Sequence, residues 1–329
     1  MLLKYWPEET KLKFMNLRLI GAMVSALMIA ASVFFLGTRG LNFGVDFAGG
    51  TVMELEQTDT ITVEAVRAAM PLSAEVNSAV GTDARSIVVV KFGEADAAEL
   101  GEAFQALSPA DQAERATGAT NELVVRVLKD KLNIADDQFL RNDSVGPKVS
   151  SELFRDGITA LVVALALMLA YIWFRFEWQF SVGAVAALAH DVIITLGVFA
   201  LMQLEFNLTT IAALLTIIGY SMNDTVVVFD RVREEKRKYK KMPDRQVIDL
   251  ALNSTLSRTL LTSGTTLLAL LAIFFLGGPV LRGMSFALIW GILIGTYSSI
   301  FIASSIVLAL GMDLNKKPVE DVQGFQGAP

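Results

Sequence analysis

The 329-residue sequence has no cysteine, one histidine, eight prolines and only 19% charged residues. Without Cys there are no disulfides, thiolate metal sites or cysteine nucleophiles. A lone His190 leaves a histidine-built metal site or a Ser-His-Asp triad without its parts. Neither His-Glu-x-x-His nor Gly-x-Ser-x-Gly occurs, so an intramembrane enzyme lacks its signatures. No residue is assigned as catalytic or as a metal ligand. Charge this sparse falls below the usual quarter, and the mean hydropathy of +0.51 argues against an ordinary soluble domain.

What is present instead is a series of long apolar runs. A helix rising 1.5 Å per residue needs about 20 apolar residues to cross a ~30 Å hydrocarbon core. Six stretches meet this: 17–37, 157–174, 181–202, 208–229, 260–281 and 284–311. The last two are divided by Gly277-Gly278-Pro279 and Arg282, where Pro and Gly stop a helix. The first run follows Lys4, Lys11, Lys13 and Arg18 within a leader at 1–16 and the start of the run, as in a signal peptide. It is long for a signal and ends without an Ala-x-Ala site, so it reads as an uncleaved anchor.

Basic residues predict the orientation. The leader, the connection at 230–259 (Arg231, Arg233, Lys236, Arg237, Lys238, Lys240, Lys241, Arg245) and the tail at 312–329 (Lys316, Lys317) are basic, while the short loops after the third and fifth spans together hold only Arg282. Six spans with both termini in the cytoplasm put them on one side. The segment 38–156 then lies outside; between Leu41 and Ser150 it carries 18 acidic and 9 basic residues. The basic face suits anionic lipid heads. Nucleic acid is not expected as a partner, because a lone Tyr239 among the cations falls short of the aromatic interleaving of a single-strand platform.

Within the outer segment the period changes. Residues 51–57, 75–80, 86–92 and 138–145 read as strands, and 63–70 and 122–132 as helices, with Gly81-Thr82-Asp83 as a turn. The order β-α-β-β-α-β predicts an α+β ferredoxin-like extracytoplasmic domain. An Ala-, Glu- and Gln-rich stretch at 94–120 interrupts it as an extra helix or mobile insertion. The fold class expected is therefore a polytopic α-helical membrane protein carrying this domain.

Ionisable groups inside apolar spans are costly and mark function. His190 and Asp191 lie near mid-depth of the third span. Asp224 lies about 24 Å into the fourth at 1.5 Å per residue. Arg258, just ahead of the fifth, shares that depth, so the two are expected to pair. Burial would raise the Asp224 pKa and a nearby guanidinium would lower it, giving a proton switch. Against this stand plain structural roles. Ser221, Asn223 or Thr225 would satisfy Asp224, Arg258 would snorkel to lipid phosphate, and His190 would be a neutral imidazole bonded in the bundle. Gly291-x-x-x-Gly295, with Ser298, Ser299, Ala303, Ser304 and Ser305, predicts close helix packing.

Several motifs together resemble the SecF family of the bacterial Sec protein-export machinery. They are Leu41-Asn42-Phe43-Gly44-Val45-Asp46-Phe47-Ala48-Gly49-Gly50-Thr51, Val145-Gly146-Pro147, Ala189-His190-Asp191-Val192-Ile193-Ile194-Thr195, the stretch 218–234 around Asp224, and Thr255-Leu256-Ser257-Arg258-Thr259-Leu260. The resemblance implies a six-helix RND-like bundle and protons as the coupling ion, with no cofactor. It also implies SecD as a six-span partner, the SecYEG channel, YajC and the YidC insertase as neighbours, and an unfolded polypeptide in transit. It places the proton-linked carboxylate on Asp224, its arginine partner on Arg258 and a further relay position on Asp191, supported by His190, Asn223 and Ser221. Gly44, Asp46, Gly49 and Gly50 form its motif turn; physically, the glycine pair is a tight turn into the first strand. The rival readings are a scaffold subunit of the translocon without proton coupling, and an RND-type exporter of small molecules or lipids.

Overall fold

The computed structural model describes residues 10–80 and 86–312. The expected turn Gly81-Thr82-Asp83, Lys4 in the leader, and Lys316 and Lys317 in the tail lie outside the described residues. Among the described residues, six helices are long and apolar enough to cross a membrane: α1 (Arg18–Thr38), α6 (Pro147–Arg175), α7 (Trp178–Met202), α8 (Leu208–Lys238), α9 (Asp244–Leu276) and the run Leu281–Leu310. The last comprises α10 (Gly278–Ser298), a π turn (Ser299–Ala303) and α11 (Ser304–Leu310). Between α1 and α6 lies a head built from β1 (Asn42–Phe43), α2 (Val45–Ala48), β2 (Gly50–Glu56), α3 (Val63–Ala69), β3 (Ala74–Val80), β4 (Ser86–Phe92), α4 (Glu102–Gln105), α5 (Pro109–Leu132) and β5 (Phe139–Val145).

The head is one antiparallel sheet in the order β3-β4-β2-β5, with α3 and α5 packed on one face. Its register sets Val90 opposite both Met53 and Val76. Alternation then turns Met53, Leu55, Val88, Val90 and Phe92 toward Val66, Val124 and Leu128 as one buried core. The stretch 94–120 holds a short extra helix, α4, in its first half. Its second half is the front of α5, which extends the helix expected at 122–132 back to Pro109. Ser108 caps it by accepting from the Asp111 backbone N–H (3.2 Å), and Pro109 sits in the first turn, where its missing N–H costs nothing. Across β2 and β5, Arg141 bonds Asp143 (2.5 Å) and Glu54 (3.4 Å). Burial pulls its pKa down, but the hydrogen bond and charge of Asp143, with Glu54, outweigh this and hold it above the usual arginine value.

In the bundle, α7, α8 and α10 form the inner layer, while α1, α6 and α9 flank it with largely exposed apolar faces. Phe174, 89% exposed, and Leu276, 75% exposed, mark that outer surface as one suited to lipid. Inside, Phe180 packs edge-on against Phe229 with ring centroids 5.0 Å apart. Gly291 and Gly295 face α8: a Cβ on the first would lie 2.3 Å from Ile217 and on the second 3.0 Å from Ser221. These two glycines let α10 approach α8, the helix that carries Asp224.

The segment 230–259, expected as a basic loop, is mostly helix. α8 continues to Lys238 and α9 begins at Asp244, leaving a short connection between them. Hydropathy marks only the apolar length of a helix, and charge pairs carry it further. Arg231 bonds Glu234 (2.6 Å) and the buried Glu235 (2.7 Å), and Lys236 bonds Asp244 (2.5 Å) across the turn. Arg175–Asp230 (2.8 Å) and Arg233–Glu177 (3.1 Å) tie neighbouring helices at the same end. Likewise α6 begins at Pro147, ahead of the expected 157. A Gly291→Leu substitution is expected to overpack against Ile217 and destabilise the bundle by about 1–3 kcal/mol, read as an earlier melting transition of the purified protein in detergent.

Candidate functional site

Among the described residues, two aspartates sit within the apolar part of the helix bundle, and each is held by hydroxyls. Asp191 on α7 is 1% exposed. Its Oδ2 accepts from Ser221 Oγ on α8 (2.6 Å) and from Ser298 Oγ on α10 (2.8 Å), and its Oδ1 lies 2.9 Å from His190 Nδ1. His190 continues outward: Nε2 lies 3.0 Å from Ser25 Oγ on α1, Ser25 lies 3.0 Å from Tyr297 OH, and Tyr297 donates to the Gly21 carbonyl (2.7 Å). With a proton on each ring nitrogen, His190 donates to Asp191 and to Ser25, Ser25 to Tyr297, and Tyr297 to Gly21. Every contact then holds one hydrogen. The count also closes if the Nδ1 proton sits on Asp191 instead.

Asp224 on α8 is only half-buried. Its Oδ1 accepts from Thr259 Oγ1 on α9 (2.5 Å) and its Oδ2 from Ser299 Oγ (2.8 Å). The expected pairing with Arg258 is not made. Arg258 is exposed on α9, and its neighbour Thr259 turns to Asp224 in its place. Successive helical residues point about 100° apart, so only one of the two can face α8. Asn223 is exposed rather than bonded to Asp224, and Ser221 serves Asp191. Thr225 is buried but does not cap the carboxylate. Above Asp224, Tyr220 OH donates to Ser263 Oγ (3.3 Å), which lies 3.0 Å from Thr296 Oγ1.

Thr259, Ser298, Ser299, Ser25 and Tyr297 are the residues that sequence reasoning missed. Ser298 and Ser299 read only as small packing residues, although serine repeated beside a Gly-x-x-x-Gly stripe was a usable signal. Nothing in α1 marked Ser25. Among the described residues, no three His, Asp or Glu side chains converge as a metal site.

The motif turn lies at the base of the head. Gly49 and Gly50 have φ of +74° and +104°, and a Cβ on Gly50 would lie 2.6 Å from the Phe92 carbonyl oxygen. Only glycine fits there without strain. Here β1 pairs in parallel with β6 (Glu205–Phe206), the short strand between α7 and α8. Asp46 Oδ2 accepts from the Leu208 backbone N–H (2.9 Å), the first of α8, where the helix dipole favours a negative charge. Lys91 of β4 bonds Glu205 (2.8 Å), Arg39 donates to the Leu201 carbonyl (2.9 Å), and Asn42 donates to that of Gln203 (3.0 Å). Phe43, Phe47, Phe154 and Phe206 cluster beneath them. The head is thus lashed to the end of the helix that carries Asp224. Asp46→Ala is expected to cost about 1 kcal/mol through the lost cap. Gly50→Ala should cost more, roughly 1–3 kcal/mol from backbone strain. Thermal melts of both variants beside the parent chain measure the difference.

Comparison with known proteins matches this arrangement. A family model described as "Protein export membrane protein SecD/SecF, C-terminal" matches residues 126–313, and "SecD/SecF GG Motif" matches residues 34–56. The chain is 44% identical to the protein translocase subunit SecF of Cereibacter sphaeroides, over 99% of this chain and 98% of that one. It is also 44% identical to the SecF subunit of Rhodobacter capsulatus, over 98% and 96%. The crystal structure of SecDF from Thermus thermophilus, a translocon-associated membrane protein, superposes with a TM-score of 0.76 at 34% identity. That match covers 93% of this chain but spans only 39% of the SecDF chain.

Proposed function

Because the chain belongs to the SecF family of protein translocase subunits, we propose that it works beside SecD and the SecYEG channel and couples proton flow to the late steps of protein export. The sequence and structural likeness to SecF and SecDF supports the SecD partnership. The head is read as a ferredoxin-like module, on the strength of its β-α-β-β-α-β order and its β3-β4-β2-β5 sheet. The membrane is read as the bacterial cytoplasmic membrane, with the head outside and both termini inside. In support, the head joins the start of α8 and the cations gather at its far end, 31 residues on, or about 46 Å at 1.5 Å per residue.

One observation carries the proton reading: Asp224 is a bundle carboxylate whose bonds come from two hydroxyls and from no cation. An ionised carboxylate in an apolar setting needs a countercharge, a proton or water. Arg258 stands one residue from the Thr259 donor, so a turn of α9 about its axis would exchange hydroxyl for guanidinium at the carboxylate. Protons are the coupling ion, and no cofactor enters. Asp191 and His190 form a second relay position, with Ser221 as its donor. YajC and the YidC insertase remain neighbours in this proposal, with an unfolded polypeptide as cargo.

The scaffold reading draws on one feature, the complete bonding of Asp191, which suits a fixed packing role. The two readings differ in what Asp224→Asn does. The proton reading expects the variant to co-purify with its partner at the parent level, yet to lose the part of export that depends on an imposed proton gradient. Vesicle export assays with and without the gradient provide the measurement; parental gradient dependence in the variant would leave only the scaffold.

A further inference from the structure

The two carboxylates do not touch, yet consecutive residues reach them. Ser298 donates to Asp191 and Ser299 donates to Asp224, both at 2.8 Å. The pair falls where α10 opens into its π turn, Ser299–Ala303, and Ser304 Oγ donates to the Ser299 carbonyl five residues back (3.0 Å). Such π turns inside α-helices recur at functional sites and offer a second, tighter register nearby.

Each hydroxyl also has a second acceptor. Ser299 Oγ lies 3.0 Å from the Thr296 carbonyl and Ser298 Oγ lies 3.1 Å from the Gly295 carbonyl. A hydroxyl has one proton to give, so each serine bonds either its carboxylate or its own helix. An ionised Asp224 holds Ser299 by a charge-assisted bond, the stronger choice. Once Asp224 takes a proton that advantage is gone, and the Thr296 carbonyl competes on equal terms.

We propose that Ser298 and Ser299 are positioning residues that couple the two bundle acids, so that protonation of Asp224 is transmitted through the π turn to the Asp191–His190 pair. This rests on the proton-carrying reading of Asp224 and deepens it. The remaining groups around the site leave this route open. On α7 the titratable groups are His190 and Asp191. On α9 the group facing Asp224 is Thr259, with Arg258 turned outward. On α10 and α8 the phenols Tyr297 and Tyr220 bond Gly21 and Ser263. Both acceptors of Ser299 are already within reach, so the exchange itself is a turn of the hydroxyl; what it releases is the tie between the π turn and α8, and in the proposal Ser298, the adjacent residue, shifts with that turn. Asp191 then keeps Ser221 and His190 but loses one of its two donors on Oδ2.

The test is infrared difference spectroscopy on the full-length protein with its partner in lipid vesicles, titrated over about pH 3 to 9, a range that brackets free carboxyl and imidazole values. Asp191→Asn and Asp224→Asn assign the two carboxyl bands. The expected result is an Asp191 band that shifts over the interval in which Asp224 takes its proton. That shift is lost in Ser299→Ala and in Ser298→Ala while Asp224 still titrates. If both serine variants keep the shift, or if the parent protein titrates Asp224 with no response from Asp191, the coupling is overturned and the proton reading stands. If the Asp224 band stays constant across the whole range, the proton reading falls and the coupling falls with it. Melting curves of the two alanine variants separate loss of coupling from loss of fold, and either variant alone suffices.

Discussion

A carboxylate in an apolar helix bundle must find donors, and in this protein it finds hydroxyls. Asp191 and Asp224 are served by Ser221, Ser298, Thr259 and Ser299, with an imidazole added at Asp191. Hydroxyls differ from cations in one respect that governs everything around them. They stabilise an ionised acid without fixing its charge, and they can turn to a backbone carbonyl when the acid is neutral. The close approach of α10 to α8 at Gly291 and Gly295 helps bring the Ser299 hydroxyl within reach of Asp224. The bundle's tight packing and its polar chemistry are therefore one feature.

The same helix connects the acid to the head. α8 starts under the Asp46 carboxylate and beside β6, which pairs with β1 at the base of the sheet. Lys91–Glu205 adds a bond between the sheet and the α7–α8 connection. Helices transmit displacement well along their axis because their backbone bonds run that way. A small shift of α8 around Asp224 would therefore reach the head through a short path of strand pairing, a helix cap and an ion pair.

Much of the fold was legible in the sequence because two periods dominate it. Apolar length located the six helices, and period-two alternation located the four strands of the head's antiparallel sheet, though not the two-residue β1. Helix ends were less legible. α8 and α9 run past their apolar segments because i,i+3 and i,i+4 pairs such as Arg231 with Glu234 and Glu235 stabilise a helix that hydropathy counts as loop. At the site, the acids themselves stood out, since charges in apolar runs are rare. Their partners did not. Whether Arg258 or Thr259 faces Asp224 depends on the rotation of α9 about its axis, which neighbouring helices decide and local sequence does not. The π turn carries no proline or glycine to announce it, and Ser25 reaches His190 from the far end of the chain order.

The two acids are unequal, and the inequality separates what holds the bundle from what can change within it. Asp191 is enclosed, bonded on both oxygens and linked to a chain of contacts that ends on a backbone carbonyl. Moving it would leave several buried polar groups unpaired at once, each at a cost of about 1–3 kcal/mol. Asp224 is half-exposed and has one donor per oxygen, so little else is lost when its state alters. A mobile charge belongs where the fewest bonds depend on it, and a reference point where the most do. If Asp224 carries the proton as proposed, the adjacent serines on one helix give it a route to Asp191, and the π turn beside them is where the backbone would absorb the change.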